Sequence, residues 1–243
     1  MDVLYTLGNG SIYNNREIYT SLRLLKKNCK FDRIFVIGER PNELPEGVEI
    51  YHIPFKEHLS RTRNVFLKIC TVCENTDISD NFLYMMDDVF IIKPIDIENY
   101  PLYHSNGIKD YPSSVGAYLR EIKNTKEFLI KNNKPTLHFG VHCPIVYNKD
   151  NIRELDKIYW KYVNTYNIEL NPRILYGNWF EHPNKKYIED CKLIRDYPYL
   201  ELKRLLSNKE WFSIGSRSYD GNIKKYLEEL WVLDLEKLIV SLN

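Results

Sequence analysis

The chain lacks any long hydrophobic run. None of its apolar stretches approaches the roughly 18 residues that a membrane-spanning helix needs, so we expect no membrane span. The opening residues, MDVLYTLGNG, carry an acid at position two and no basic leader before an apolar core, so we expect no secretory signal. Linkers rich in Pro, Gly or Ser and internal repeats are missing too, which predicts a single domain over residues 1–243.

Cysteine is scarce as well, and its number is odd. The five cysteines are poorly spaced for a disulfide framework, which favours a reducing, cytoplasmic compartment. Cys70 and Cys73 form a C-x-x-C pair, but it falls late in a helical pattern, and a structural zinc site needs a second pair. We therefore interpret both as small core residues of a helix.

An excess of charge of either sign is also absent. The 34 Lys and Arg residues balance 33 Asp and Glu residues, for a formal net charge of +1. This balance gives no electrostatic reason to expect strong non-specific binding to nucleic acid. The net charge does not exclude a local basic patch, so nucleic acid is not excluded as a substrate. The oligomeric state is left open as well.

What the first hundred residues do contain is an alternation of apolar strands and amphipathic helices, which predicts an α/β fold with a parallel sheet. The predicted strands are DVLYTLG, RIFVIGE, GVEIYHIPF and NFLYMM. Ligands of such sheets gather at the carboxyl ends of the strands. Gly8, Gly38 and the pair Asp87 and Asp88 all follow strands directly, which predicts a site at that edge.

The second half is less regular. LHFGVHCPIVYN is typical of one apolar strand, whereas KKYIEDCKL and EWFSIGS each predict a short strand. PRILYGNW has a proline where a helix would start.

The acid pair stands between two apolar runs, NFLYMM and VFIIKPI. Ionised carboxylates in such a place must be paired or bound to a metal. Oxygen ligands suit Mg²⁺ or Mn²⁺, and an ion held by only Asp87 and Asp88 keeps positions open for a diphosphate. A tight turn, for which Asp is also favoured, is the alternative. The strands on both sides favour the metal.

Other polar residues stand close to apolar segments. Arg61, Asn64 and Lys68 share one edge of a predicted helix and suit phosphate groups, although a solvated helix face explains their spacing equally well. His138 and His142 lie in an apolar run, where a histidine is more often a core residue than a catalyst. The remaining polar candidates are Arg173, Asp190 and Lys192.

Several blocks together resemble the stealth family of sugar-phosphate transferases and its phage-encoded relatives, which are described as glycosyltransferases. These blocks are DVLYTLGNGS, NREIYTSLRLLKK, RIFVIG and NFLYMMDDVF, with weaker matches at VHCPIVYN, RILYGNW and DCK. The resemblance implies a GT-A fold, a Rossmann-like, mostly parallel sheet flanked by helices. It also implies a nucleotide-sugar-binding half over residues 1–100 and an elaborated acceptor-side half over residues 101–243.

The resemblance also implies roles for individual residues. Asp87 and Asp88 become the acidic motif that meets the metal and the diphosphate, with Asp88 also catalytic. His142, followed by Pro144, becomes a catalytic base or a metal contact. The loop after the first strand would contact the nucleotide. With the helix-edge residues included, the predicted donor-binding set is Leu7, Gly8, Asn9, Gly10, Arg61, Asn64, Lys68, Asp87, Arg173 and Lys192.

We therefore expect a metal-dependent glycosyltransferase that moves a sugar from a nucleotide-diphosphate sugar, such as a UDP-sugar, to an acceptor hydroxyl. Because phage relatives glycosylate hydroxymethylated pyrimidines, such DNA is the expected acceptor, and a phage-encoded protein would act in the host cytoplasm. One alternative is sugar-1-phosphate transfer to a glycan, as in the stealth enzymes. Another is a non-catalytic GT-A domain that binds a sugar or nucleotide. Leu7 and Met86 replace the Trp and Asn of the stealth pattern, which favours the glycosyltransferase.

Overall fold

Strands and helices alternate along residues 1–112 and 116–230, the part of the chain that the computed structural model describes. The helices are α1 Arg16–Asn28, α2 Arg61–Asn75, α3 Ala117–Lys131, α4 Lys149–Tyr166, α5 Pro172–Trp179 and α6 Tyr199–Leu206. Residues 221–230 are helical too. The strands are β1 Asp2–Leu7, β2 Ile34–Gly38, β3 Tyr51–Pro54, β4 Asn81–Met86, β5 Val89–Ile91, β6 Leu102–Gly107, β7 Leu137–His138, β8 Ile145–Asn148, β9 Lys185–Tyr187, β10 Lys192–Leu193 and β11 Trp211–Ile214.

Five strands form the central sheet, in the order β3-β2-β1-β4-β8. The first four are parallel, and β8 runs antiparallel to β4. Because side chains alternate between the two faces of a strand, Leu4 of β1 packs with α2 and α4, whereas Val3 and Tyr5 pack with α1. Helices thus cover both faces of this mostly parallel sheet. The predicted α/β fold is confirmed.

Two smaller sheets, β10-β11-β5 and β7-β6-β9, complete the fold. In the first of them β11 pairs antiparallel with β5, the strand that follows the acid pair. Phe90 and Phe212 from these two strands pack in a separate apolar cluster with the helical residues 221–230. Late segments of the chain therefore return to the position of the two aspartates.

Two of the predicted strands are wrong as single strands. The run LHFGVHCPIVYN divides into β7 and β8, with residues 139–144 between them. KKYIEDCKL divides into β9 and β10, which belong to different sheets. In both cases the chain must leave one sheet to join another, and the residues between the strands are free to form a site.

The C-x-x-C pair lies in the core, as predicted. Cys70 and Cys73 are free and buried on α2. Burial raises the pKa of Cys73 to about 12, so its thiol stays protonated and is a poor metal ligand or nucleophile. Among the described residues, none of the helices has the length and apolar composition needed to cross a membrane.

Candidate active site

The acid pair lies at the carboxyl edge of the central sheet. β4 ends at Met86, and Asp87 and Asp88 form a turn before β5 begins. β1 pairs in parallel with β4 and with β2, in a register that sets Leu7 opposite Gly38 and Thr6 opposite Met86. The strand ends that carry Gly8, Gly38 and the two aspartates therefore lie side by side.

Both carboxyl groups are only partly exposed, which makes their charges costly. Burial, followed by repulsion from Asp88 and Glu17, raises the pKa of Asp87 to about 7. Burial also raises the pKa of Asp88, against the opposing effects of Lys192, His142 and Arg61. The Oδ1 atom of Asp88 is buried and has no hydrogen-bond partner among the described residues. A cation bound to the pair would offset the cost of burying the two charges and would give Asp88 Oδ1 a partner.

The carboxylate oxygens of the acid pair are suitable ligands for a hard divalent cation. Among residues 1–112 and 116–230, no group of three or more His, Cys, Asp and Glu side chains is arranged to hold a metal ion. Mg²⁺ is usually bound by one or two carboxylates, and waters and substrate phosphates complete its shell. Asp87 and Asp88, with the unpaired Asp88 oxygen, match that arrangement.

His142 reaches the same edge because β8 is antiparallel to β4. Tyr84 is paired with Ile145, so the residues before Ile145 run past the end of β4. Asp190 then fixes the histidine twice. Its Oδ2 lies 2.7 Å from His142 Nδ1, and its Oδ1 accepts a 3.0 Å hydrogen bond from the His142 backbone N–H.

The hydrogen bond determines the histidine tautomer. Burial disfavours the charge of Asp190, but hydrogen bonds and charge from His142, with the charge of Arg173, outweigh it and lower the pKa of Asp190. An ionised carboxylate only accepts hydrogen bonds, so Nδ1 carries the hydrogen. In the neutral imidazole, Nε2 is then left as a proton acceptor. His142 and Asp190 were each candidates from the sequence, but no sequence pattern indicated that they pair.

Two cations lie near the acid pair. Lys192 of β10 pairs with Ser213 of β11, and Ser213 pairs with Val89, which follows Asp88 directly. Arg61 is the exposed first residue of α2. The charges of Lys192 and Arg61 both oppose the rise that burial causes in the pKa of Asp88. Neither side chain makes a hydrogen bond or ion pair with any described residue. Such cations suit phosphate oxygens.

Lys68 holds the backbone at the end of β1, and Asn64 holds the backbone just before α2. The Lys68 ammonium is buried and donates to the Leu7 carbonyl oxygen at 2.8 Å and to Glu57 Oε1 at 2.5 Å. The Asn64 side chain hydrogen-bonds the backbone of residues 58–59. The side chain of Leu7 is itself buried in the core. Donor contacts by Leu7, Asn64 and Lys68 stay predictions.

Arg173 supports the segment that carries His142. Its Nε donates to the Phe139 carbonyl oxygen at 2.9 Å, and its Nη2 donates to the Cys143 carbonyl oxygen at 2.8 Å. The guanidinium thus ties both ends of residues 139–143 to the start of α5. Its predicted contact with donor phosphate or acceptor stays a prediction.

The loop after β1 is anchored from α1. Asn9 and Gly10 are exposed at its tip. The Asn15 side chain donates to the Gly8 carbonyl oxygen at 3.2 Å, and the Ser11 hydroxyl lies 2.8 Å from both oxygens of Glu17. The loop therefore has a fixed base and an accessible tip, as a nucleotide contact requires.

Glu17 is a candidate site residue that the sequence did not indicate. It is buried in the first turn of α1, and its charge raises the pKa of Asp87. An acidic residue in the first helical turn is ordinary, because it complements the helix dipole. Its position therefore gave no signal of a third carboxylate near the pair.

Sequence comparison finds no relatives, since no protein-family model matches the chain and no curated protein matches it. Comparison with solved structures finds proteins of similar fold. The galactosyltransferase LgtC, solved in complex with donor and acceptor sugar analogues, is similar over 95% of both chains, with a TM-score of 0.51 at 10% identity. An active-site mutant of LgtC is similar over 95% of both chains, with a TM-score of 0.50 at 11% identity. The chain has the GT-A glycosyltransferase fold.

The GT-A similarity extends over both halves of the chain, since 95% of it is covered. At this level of identity the similarity concerns the fold. The resemblance to the stealth family and its phage relatives stays a prediction from the sequence blocks.

Proposed function

We propose that the protein is a metal-dependent glycosyltransferase that uses a nucleotide-diphosphate sugar, a UDP-sugar being the expected donor. The observation that carries the proposal is the grouping at the carboxyl edge of the central sheet. It combines two half-buried carboxylates, two cations without partners among the described residues, and a His–Asp pair. The GT-A fold, shared with a galactosyltransferase solved with donor and acceptor analogues, supports the same reaction class.

On the donor side, Asp87 and Asp88 would hold Mg²⁺ or Mn²⁺. When bound, such an ion neutralises charge on the departing diphosphate. Arg61 and Lys192 bind phosphate oxygens through charge-assisted hydrogen bonds. Residues 8–11 contact the nucleotide from the end of β1. Arg61 and Lys192 thereby stabilise the negative charge that increases on the diphosphate as the sugar departs.

On the acceptor side, His142 acts as general base. Asp190 holds the Nδ1–H of the ring, so Nε2 accepts the proton of the attacking hydroxyl. The same hydrogen bond stabilises the imidazolium that results. This role belongs to a reaction that inverts the anomeric centre, because direct attack by the acceptor needs an activated hydroxyl.

The test is to incubate the purified protein with a panel of nucleotide-sugars and Mn²⁺, and to identify the nucleotide released. We expect a nucleoside diphosphate, and loss of release on chelation with EDTA. Faster release with hydroxymethylated DNA would support the acceptor predicted from the phage resemblance. A nucleoside monophosphate would instead indicate sugar-1-phosphate transfer. No release from any donor by the folded protein would leave a sugar- or nucleotide-binding domain.

A further inference from the structure

A cavity of about 350 Å³ opens beside the His142–Asp190 pair. This volume lies within the range of small-ligand sites. The side chains that matter for its chemistry are Lys109, Tyr111, His138, Tyr187, Glu189 and Asp190. Asp190 belongs to the cavity wall and also holds His142, so a ligand in the cavity lies next to the proposed base.

The small sheet β7-β6-β9 explains why these residues meet. In it Ser105 of β6 pairs with His138, and the preceding His104 pairs with Tyr187. The backbone N–H of Ile188 donates to the His104 carbonyl oxygen at 2.9 Å and extends this pairing by one residue. The chain then passes directly through Glu189 to Asp190. One short segment therefore carries both the cavity wall and the partner of the base.

The wall is polar and aromatic, and it is not basic. Tyr187 is 55% exposed and presents a flat apolar ring with a hydroxyl. Glu189 is exposed, and its carboxylate accepts hydrogen bonds from hydroxyl groups. Burial lowers the pKa of His138, which keeps its ring neutral at pH 7. Among the described lining residues, two carboxylates thus face one ammonium, that of Lys109.

This charge pattern disfavours a polyanion. Nucleic acids bind where Lys and Arg side chains neutralise their phosphates, and like charges across an interface weaken binding. The cations Arg61 and Lys192 lie on the donor side, beside the acid pair. A compound with many hydroxyl groups and an apolar face uses the ring of Tyr187 and the carboxylate of Glu189 without repulsion.

We propose, on the basis of the function proposed above, that this cavity binds the acceptor and that the acceptor is a neutral glycoside rather than DNA. Tyr187 and Glu189 are the residues that select it. A glycoside in the cavity then lies beside Asp190, the hydrogen-bond partner of His142.

Direct binding tests the proposal without relying on turnover. Neutral methyl glycosides and oligosaccharides are titrated calorimetrically into the wild type, and a hydroxymethylated DNA duplex is titrated in parallel. We expect at least one glycoside to bind, and Glu189→Gln and Tyr187→Ala each to raise its Kd roughly tenfold. The matched controls are Glu181→Gln and Tyr166→Ala, exposed residues outside the cavity lining, which should bind as the wild type does.

Acceptor-independent hydrolysis of the nucleotide-sugar separates the two proposals. It should be equal in the wild type and in the two control variants, Glu181→Gln and Tyr166→Ala. The cavity proposal is overturned if no glycoside binds, if Glu189→Gln and Tyr187→Ala bind as tightly as the wild type, or if the DNA duplex binds in preference. Failure of the glycosyltransferase proposal differs from these results, because glycoside binding would persist without nucleotide release from any donor.

Discussion

At the scale of single residues, the acid pair gives the sharpest prediction. Asp87→Asn and Asp88→Asn keep the side-chain volume but remove the charge that a divalent cation needs. We expect each to lower Mn²⁺-dependent nucleotide release by at least roughly 100-fold. The matched control is Asp80→Asn, an exposed aspartate in front of β4, at the opposite end of that strand. Full activity in both site variants would rule out the metal assignment.

Arg173 offers a second test at this scale, because its two candidate roles affect different kinetic constants. A residue that supports the segment around His142 should act on kcat, since small misplacement of a catalytic group is costly. A residue that binds donor phosphate should act on the KM for the donor. We expect Arg173→Met to lower kcat roughly tenfold or more with little change in donor KM.

The control for this comparison is Arg61→Met, the exposed cation beside the acid pair. We expect Arg61→Met to raise the donor KM, because its guanidinium has no partner among the described residues and is available to phosphate. Steady-state kinetics with varied donor distinguishes the two patterns. The reverse result, a raised donor KM for Arg173→Met, would restore its predicted phosphate contact.

At the scale of elements, local pattern predicted the parallel strands well. The strands β1, β2 and β4 are apolar runs bounded by turn residues. Nearly all of their residues are buried, so hydrophobicity along the sequence is enough to predict them. The pattern failed where one run serves two sheets. LHFGVHCPIVYN and KKYIEDCKL are continuous in sequence, but each divides because its two ends pair with distant strands. His142 and Asp190 lie in those two interruptions, so their pairing depends on contacts that no local window contains.

The packing of α3 on α2 gives a prediction about pH. The Thr62 hydroxyl lies 3.1 and 2.9 Å from the two oxygens of Glu121, and Glu169 lies close by. Burial, with a further contribution from Glu169, raises the pKa of Glu121. The folded state therefore holds this proton more tightly than the unfolded state. Its contribution to stability is complete below about pH 4.3 and is lost as the pH rises towards neutrality.

Glu121→Gln stays neutral at every pH and should escape that loss. We expect its Tm at pH 8 to exceed that of the wild type by about 2 °C or more, and the difference to shrink near pH 4.5. Glu127→Gln, an exposed change on the same helix, is the control. A lower Tm for Glu121→Gln at pH 8 would mean that hydrogen bonding by the ionised carboxylate outweighs its burial.

At the scale of the whole molecule, the two predicted halves do not form separate cores. β8 completes the sheet begun by the first half, and β11 pairs with β5. We therefore expect a single unfolding transition for the intact chain, with equal calorimetric and van't Hoff enthalpies. We expect a fragment of residues 1–100 to stay unfolded. Two resolved transitions, or a folded fragment, would show that the halves are independent domains.

The separation of the sheets has a consequence for how such a protein can change over time. Among the described residues, the strands β7-β6-β9 that carry the cavity share no member with the sheet that ends at Asp87 and Asp88. Exchange of residues 105–111 and 187–189 leaves the parallel strands and the acid pair untouched. If the cavity binds the acceptor as proposed, acceptor choice can change separately from the acid pair, and laboratory evolution aimed at a new acceptor has a small, defined target.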